Sequence, residues 1–202
     1  MKRNLLLATA ATVAVVIASP AAATRDNSGY VGIEGGVMFP QSQSLFGTIV
    51  FTNPATTGFA RQNIGSVRYR TGYDVDVIGG YSFGMFRLEG ELGYKRAKMK
   101  NPVLSPAFVT AFGTGSGYPT SSAYTTGNSF NLRYYTGVYS AMVNGLVDFG
   151  GNGSFGGYVG GGAGYAHVKQ FNGSKSGFAW QLLAGVYAPV SDNIDIGLKY
   201  RY

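Results

Sequence analysis

Residues 73–95, YDVDVIGGYSFGMFRLEGELGYK, leave few folds open to this chain. They form two runs of about ten residues joined by a tight turn at Phe83 and Gly84, the length a strand needs to cross a membrane at a tilt. Each run alternates strictly: Tyr73, Val75, Val77, Gly79 and Tyr81 share one face, opposite Asp74, Asp76, Ile78, Gly80 and Ser82. In the second run Phe86, Leu88, Gly90, Leu92 and Tyr94 oppose Arg87, Glu89, Glu91, Gly93 and Lys95. A period of two is the mark of a β-strand. A soluble hairpin would bury the apolar face and wet the charged one. Here the pattern recurs along the chain with no segment that reads as a helix to cover the apolar faces. The apolar face is therefore assigned to lipid and the charged face to the inside of a barrel.

The bulk composition agrees. With 32 Gly, 15 Tyr and 13 Phe but only 12% charged residues, the chain is poor in charge for a soluble protein, yet its mean hydropathy of +0.05 is too low for a helical membrane protein. Cysteine is absent, which excludes disulfides, thiolate metal sites and a lipid-bearing cysteine. The basic excess of +7 does not cluster with aromatics on a helix, so nucleic acid is not expected as a partner.

Residues 1–23 read as a secretory signal peptide: Lys2 and Arg3, an apolar run from Leu5 to Ala18, Pro20, then a small-residue cleavage site at Ala21, Ala22 and Ala23. Residues 24–202 are then the barrel domain. Its first strand spans residues 30–39, and residues 73–95 supply the second and third. The fourth covers 134–149, a Gly-rich fifth of ambiguous facing covers 155–168, the sixth follows a medium loop at 169–176, and the seventh begins at Ile194. Long connections at 40–70 and 96–129 alternate with short turns, which places the long loops outside the cell and the short turns in the periplasm. Within the first loop, residues 45–52 suggest an extra short strand. Aromatics gather at strand ends as interfacial belts. Tyr30, Tyr81, Phe83, Phe86, Phe149 and Phe155 form the periplasmic one. Phe39, Tyr94, Tyr134, Phe178, Trp180 and Tyr200 form the outer one.

Two sets of residues are candidates for function. The inward charges are Glu34, Asp74, Asp76, Arg87, Glu89, Glu91, Lys95, Asp148, Asp195, Lys199 and Arg201; in a narrow lumen they must pair, because an isolated buried ion costs several kcal/mol. The basic loop residues Arg61, Arg68, Arg70, Arg96, Lys98, Lys100, Lys169 and Lys175 are candidate contacts for lipopolysaccharide phosphates. No cofactor or metal is expected. The GxGxxG match at Gly151–Gly156 precedes a Gly-rich strand rather than a helix, and no acidic residue lies between Gly150 and Val190 to take a ribose. His167 is the single histidine and lacks the His-x-Ser arrangement of barrel deacylases; Ser174 or Ser176 would reach it only by loop folding, so no enzymatic activity is expected.

From Met142-Val143-Asn144-Gly145, through Tyr158-Val159-Gly160-Gly161-Gly162-Ala163-Gly164 and Gly185-Val186-Tyr187, to Asp192-Asn193 and Tyr200-Arg201-Tyr202, the chain resembles the small eight-stranded outer-membrane barrels. That family includes opacity-type surface proteins and the membrane domain of outer membrane protein A. The resemblance implies an antiparallel up-and-down barrel with about seven strands visible here, Tyr200-Arg201-Tyr202 lying on the penultimate one. An open edge in lipid would cost tens of kcal/mol, since each unsatisfied backbone group costs several. The eighth strand is therefore expected past Tyr202, or else the segment at Leu45 completes the sheet. The function expected is structural, in envelope integrity and surface display. A small porin with a charged lumen and a loop-based adhesin for host surface molecules are the alternatives. Partners would be outer-membrane lipid, lipopolysaccharide, periplasmic chaperones and the barrel assembly machinery.

Overall fold

The computed structural model of the chain describes residues 10–19, 27–47, 62–100, 103–106, 135–150, 155–170, 173–191 and 194–202. Among the described residues eleven strands are formed: β1 (Ala10–Ser19), β2 (Ser28–Pro40), β3 (Gln43–Gly47), β4 (Gln62–Val67), β5 (Gly72–Ser82), β6 (Phe86–Lys98), β7 (Val103–Leu104), β8 (Tyr135–Gly150), β9 (Gly156–Gln170), β10 (Gly173–Ser191) and β11 (Ile194–Arg201). They belong to two compact units. One is a closed antiparallel barrel of eight strands in the order β1-β11-β10-β9-β8-β6-β5-β2, and the other holds the three-stranded sheet β3-β4-β7.

The barrel is inverted in polarity, as the alternation requires. Lys199, Glu89, Glu91, Asp74 and Asp76 are at most 2% exposed, whereas Val31, Val143 and Leu92 on the opposite faces are 59–66% exposed. No aqueous fold gains from that arrangement, because hydrophobic burial is the main favourable term in folding and here the ring keeps its apolar surface outside. Lipid supplies the missing apolar environment.

The central hairpin forms as its sequence demands. Tyr73 pairs with Arg96 and Ser82 with Arg87 across β5 and β6. The turn between them closes through Phe83 N donating to Phe86 O at 2.7 Å, with Gly84 at φ 90°, a conformation that disfavours side chains.

The closing strand is where sequence and structure part. The eighth strand lies within the chain: β1 pairs with β11 from Thr12↔Arg201 to Ala18↔Asp195, and with β2 from Ala10↔Pro40 to Ser19↔Val31. The barrel wall therefore starts at Ala10, inside the segment read as a leader. Its residues suit a wall strand, since Thr12 and Ala14 are small and face the crowded lumen while Val13 and Val15 face out. The Leu45 segment does not complete the barrel; β3 pairs with β4 in the separate sheet, and residues 48–52 lie outside the described residues.

Two further boundaries shift. β9 runs to Gln170 and β10 starts at Gly173, so the expected medium loop at 169–176 is mostly strand. Likewise β6 extends to Lys98, which puts Arg96 and Lys98 on the barrel strand rather than in a loop.

The facing of the Gly-rich strand is now fixed. Tyr158 and Ala166 point inward while Val159 and Tyr165 point out, which turns Gly160, Gly162 and Gly164 toward the lumen. A Cβ at Gly162 would collide with Asn144 Oδ1 and lie 2.8 Å from Val143 O. Gly145, on the outward face, has nothing within 4 Å. Gly162→Ala is accordingly expected to destabilise the barrel by about 1–3 kcal/mol, the usual cost of overpacking, while Gly145→Ala leaves it nearly unchanged. Urea unfolding of the two variants in lipid vesicles checks the contrast, and equal midpoints would remove the assigned facing.

Candidate functional site

All the inward charges read from the sequence face the lumen, and the structure joins most of them into one layered network. Arg201, near the end of β11, is its hub. Nη1 lies 2.7 Å from both Asp74 Oδ2 and Asp76 Oδ2, and Nη2 lies 2.9 Å from Glu34 Oε2 and 3.2 Å from Glu91 Oε2. A planar fork with donors on both ends is the group suited to several carboxylates at once. Lys95 adds a second cation, with Nζ 3.0 Å from one oxygen each of Asp74 and Asp76. One layer toward the short turns, Lys199 pairs with Glu34 and lies 3.2 Å from Glu89.

Neutral groups complete the layer. Asn144 Nδ2 donates to Glu89 and Glu91 at 3.1 Å each, and Gln181 Nε2 donates to Glu91 at 3.1 Å and to Asn144 Oδ1 at 2.7 Å. Tyr30 Oη donates to Glu89 at 2.9 Å. Buried charge is tolerable only when paired; each carboxylate of this layer meets a cation or an amide donor, while Glu91 Oε1 and Arg201 Nε carry no hydrogen bond.

Near the short turns Arg87 forms a separate cap. Its Nε is 2.9 Å from Asp148 Oδ2, and its guanidinium sits 5.5, 4.7 and 5.8 Å from the ring centroids of Tyr30, Tyr158 and Tyr187. Three electron-rich rings around one cation give cation–π attraction in a site shielded from water. Asp195 is buried beside this cap and lines a cavity of about 30 Å³ together with Tyr158, Tyr187 and Lys199. A cavity of about 200 Å³ at the other end of the lumen is lined by Lys95, Ser140, Met142, Gln181 and Arg201 among others. The network fills the space between the two.

Sequence reasoning missed the neutral members. Asn144 and Gln181 sit at inward positions by the same two-residue rule that found the charges, so parity alone would have flagged them. Tyr30 was expected in the periplasmic belt, but it shares the face of Glu34 and is 4% exposed in the lumen. The other belt members at the short-turn end, Tyr81, Phe83, Phe86, Phe149 and Phe155, are outward and exposed, as are Phe39, Phe178, Trp180 and Tyr200 at the other end. Tyr134 lies outside the described residues.

The basic candidates divide. Arg96 and Lys98 are on β6, Lys169 on β9 and Lys175 on β10, each on a barrel strand. Arg68, Arg70 and Lys100 are exposed in the second unit, where Lys100 N donates to Arg68 O at 2.8 Å, and Arg61 lies outside the described residues. His167 is directly opposite Ser176 in the β9–β10 ladder, with Nδ1 2.6 Å from Ser176 Oγ, so no loop folding is needed to bring them together. The pair is on the outward face of the wall. Among the described residues no group of three or more His, Cys, Asp or Glu side chains is placed to hold a metal ion.

No family model matches the chain. Over 86 residues it is 34% identical to the outer membrane protein PagN of Salmonella typhimurium, a stretch that covers 36% of this chain and 36% of that protein. The chain therefore matches little more than a third of the relative's length. Together with the closed eight-stranded barrel, this likeness supports an outer-membrane barrel protein.

Proposed function

We propose that the protein is a non-enzymatic, structural barrel of the bacterial outer membrane, related to the opacity-type and outer membrane protein A barrels, which stiffens the envelope and displays its long connections at the surface. The observation that carries this reading is the lumen: Arg201 and Lys199 are each held between carboxylates of more than one strand, and Lys95 between two aspartates of β5, in the space a solute path would need. Moving any one of them uncovers buried charge, and breaking such a pair costs about 3–5 kcal/mol. A narrow interior of eight strands is just wide enough for side chains to fill. Refolded protein in planar bilayers is expected to give no steady channels. Sustained open conductance would favour the small-porin alternative and overturn the structural one.

The reading includes outer-membrane lipid and lipopolysaccharide as partners, periplasmic chaperones and the barrel assembly machinery during biogenesis, and export directed by residues 1–23, which then stay attached so that Ala10–Ser19 can close the wall. A fusion of residues 1–23 to a periplasmic reporter tests the last point apart from the barrel; a reporter left in the cytoplasm removes it. The lack of activity rests on the His167–Ser176 pair, which has no acidic side chain of the described residues on its face to orient the imidazole. Fatty-acid release by the refolded protein, abolished in Ser176→Ala, would overturn it. Loop-mediated adhesion to host surface molecules is the remaining alternative, and loss of cell binding on deletion of residues 48–61 and 107–134 would favour it.

A further inference from the structure

The outward face of the barrel carries cations but, among the described residues, no carboxylate: Glu34, Asp74, Asp76, Glu89, Glu91, Asp148 and Asp195 all point into the lumen. The outward cations near the long connections are also not scattered. The Arg96 guanidinium lies 4.3 Å from the ring centroid of Tyr135, and Lys169 Nζ lies 5.4 Å from that of Tyr139. The Tyr139 ring packs 4.9 Å from Tyr94, which packs 6.2 Å from Tyr73, the cross-strand partner of Arg96. On the next rung Tyr139 pairs with His167, which contacts Ser176. The result is one patch across β5, β6, β8, β9 and β10, with cations seated on tyrosine rings and hydroxyls between them.

Two outward cations where the wall passes out of the hydrocarbon, with no protein anion among the described residues beside them, attract a counter-charge from the membrane. Because β6 and β9 are separated by β8, the strands that carry Arg96 and Lys169 lie two spacings apart, about 10 Å. That separation suits a headgroup bearing more than one phosphate. The tyrosine faces and the hydroxyls of Tyr73, Tyr94, Tyr139 and Ser176 suit the faces and hydroxyls of sugars placed between those phosphates. We propose that this patch binds a phosphorylated saccharide lipid of the outer leaflet, of the lipid A type, with Arg96 and Lys169 on its phosphates. The proposal rests on the membrane reading above and narrows the lipopolysaccharide contacts to the wall, away from Arg68 and Arg70.

The test is retention of lipid by the full chain refolded in vesicles containing bisphosphorylated lipid A, then extracted in detergent and examined by native mass spectrometry. Heat-modifiable electrophoretic mobility serves as the control for folding. Folded wild-type protein is expected to retain the lipid, and Arg96→Gln/Lys169→Gln to lose it by about tenfold or more, the scale of one charge-assisted hydrogen bond. Arg68→Gln/Arg70→Gln should behave as wild type, and dephosphorylated lipid A should be retained about tenfold less. Unchanged retention by the folded double variant, equal retention of dephosphorylated lipid A, or equal displacement by phosphatidylglycerol would each overturn the proposal. A wild-type chain that stays in the aqueous phase would instead refute the membrane reading itself.

Discussion

Arg201→Met is expected to destabilise the barrel by at least about 3–5 kcal/mol, because it removes one partner from a buried ionic cluster and leaves the other charges behind. The guanidinium touches Asp74, Asp76, Glu34 and Glu91. After its loss Lys95 is the cation left against the two aspartates and Lys199 the one left against Glu34. The excess negative charge then has no cation of its own. Asp74→Asn/Asp76→Asn in the Arg201→Met background should therefore recover more than half of the loss, although the same pair of substitutions destabilises the otherwise native barrel. Arg201→Lys should fall between, since an ammonium is a point charge and lacks the planar fork. The single tryptophan, Trp180, is 58% exposed on the outward wall, so its fluorescence during urea unfolding from vesicles reports departure from lipid. If Arg201→Met unfolds at the native midpoint, the cluster does not hold the wall together.

What the sequence discloses about this site follows from what parity can encode. A charged residue at every second position of an otherwise apolar strand, as at Asp74, Asp76, Glu89 and Glu91, is a statement about facing that needs no partner to be understood. Which cation meets which anion is a statement about stagger around the ring. Arg201 lies on the strand beside β1 and Asp74 two strands beyond it on the other side, and nothing local to either residue announces that meeting. Asn144 and Gln181 were visible as inward but silent as network members, because an amide carries no charge that demands a partner.

The misread boundaries have a similar cause. Lys169, Ser174 and Lys175 look like loop residues on composition, yet β9 and β10 remain paired through them from Gly173↔Gln170 downward. A strand that continues past the hydrocarbon has no reason to stay apolar, so the lipid-facing pattern ends before the ladder does. The segment Ala10–Ser19 fails in the opposite direction. Its run of Ala, Val, Thr and Ile meets the requirements of an export leader, and also those of a wall strand, with Thr12, Ala14 and Val16 inward and Val13 and Val15 outward.

That double fit leads to the largest effect expected for this chain. Protein consisting of residues 24–202, refolded from denaturant into lipid vesicles, is expected to give no compact, heat-modifiable form, whereas the full chain gives one. Refolding bypasses export, so a failure reports closure and not secretion. Without β1 both β2 and β11 present an unpaired edge to hydrocarbon, and at several kcal/mol for each unsatisfied backbone group the cost reaches tens of kcal/mol. Side chains cannot offset it. Lys199 and Arg201 on β11 reach across the position of β1 to Glu34 on β2, which keeps the two edges in register, but these ion pairs supply no partner to a main-chain N–H. A peptide of residues 8–21 added during refolding should therefore restore part of the compact form by pairing with both edges. Val15→Pro in that peptide should abolish the rescue by removing a donor in mid-strand, where a proline is not tolerated. A compact barrel from residues 24–202 alone would show instead that β2 and β11 can close the ring without Ala10–Ser19.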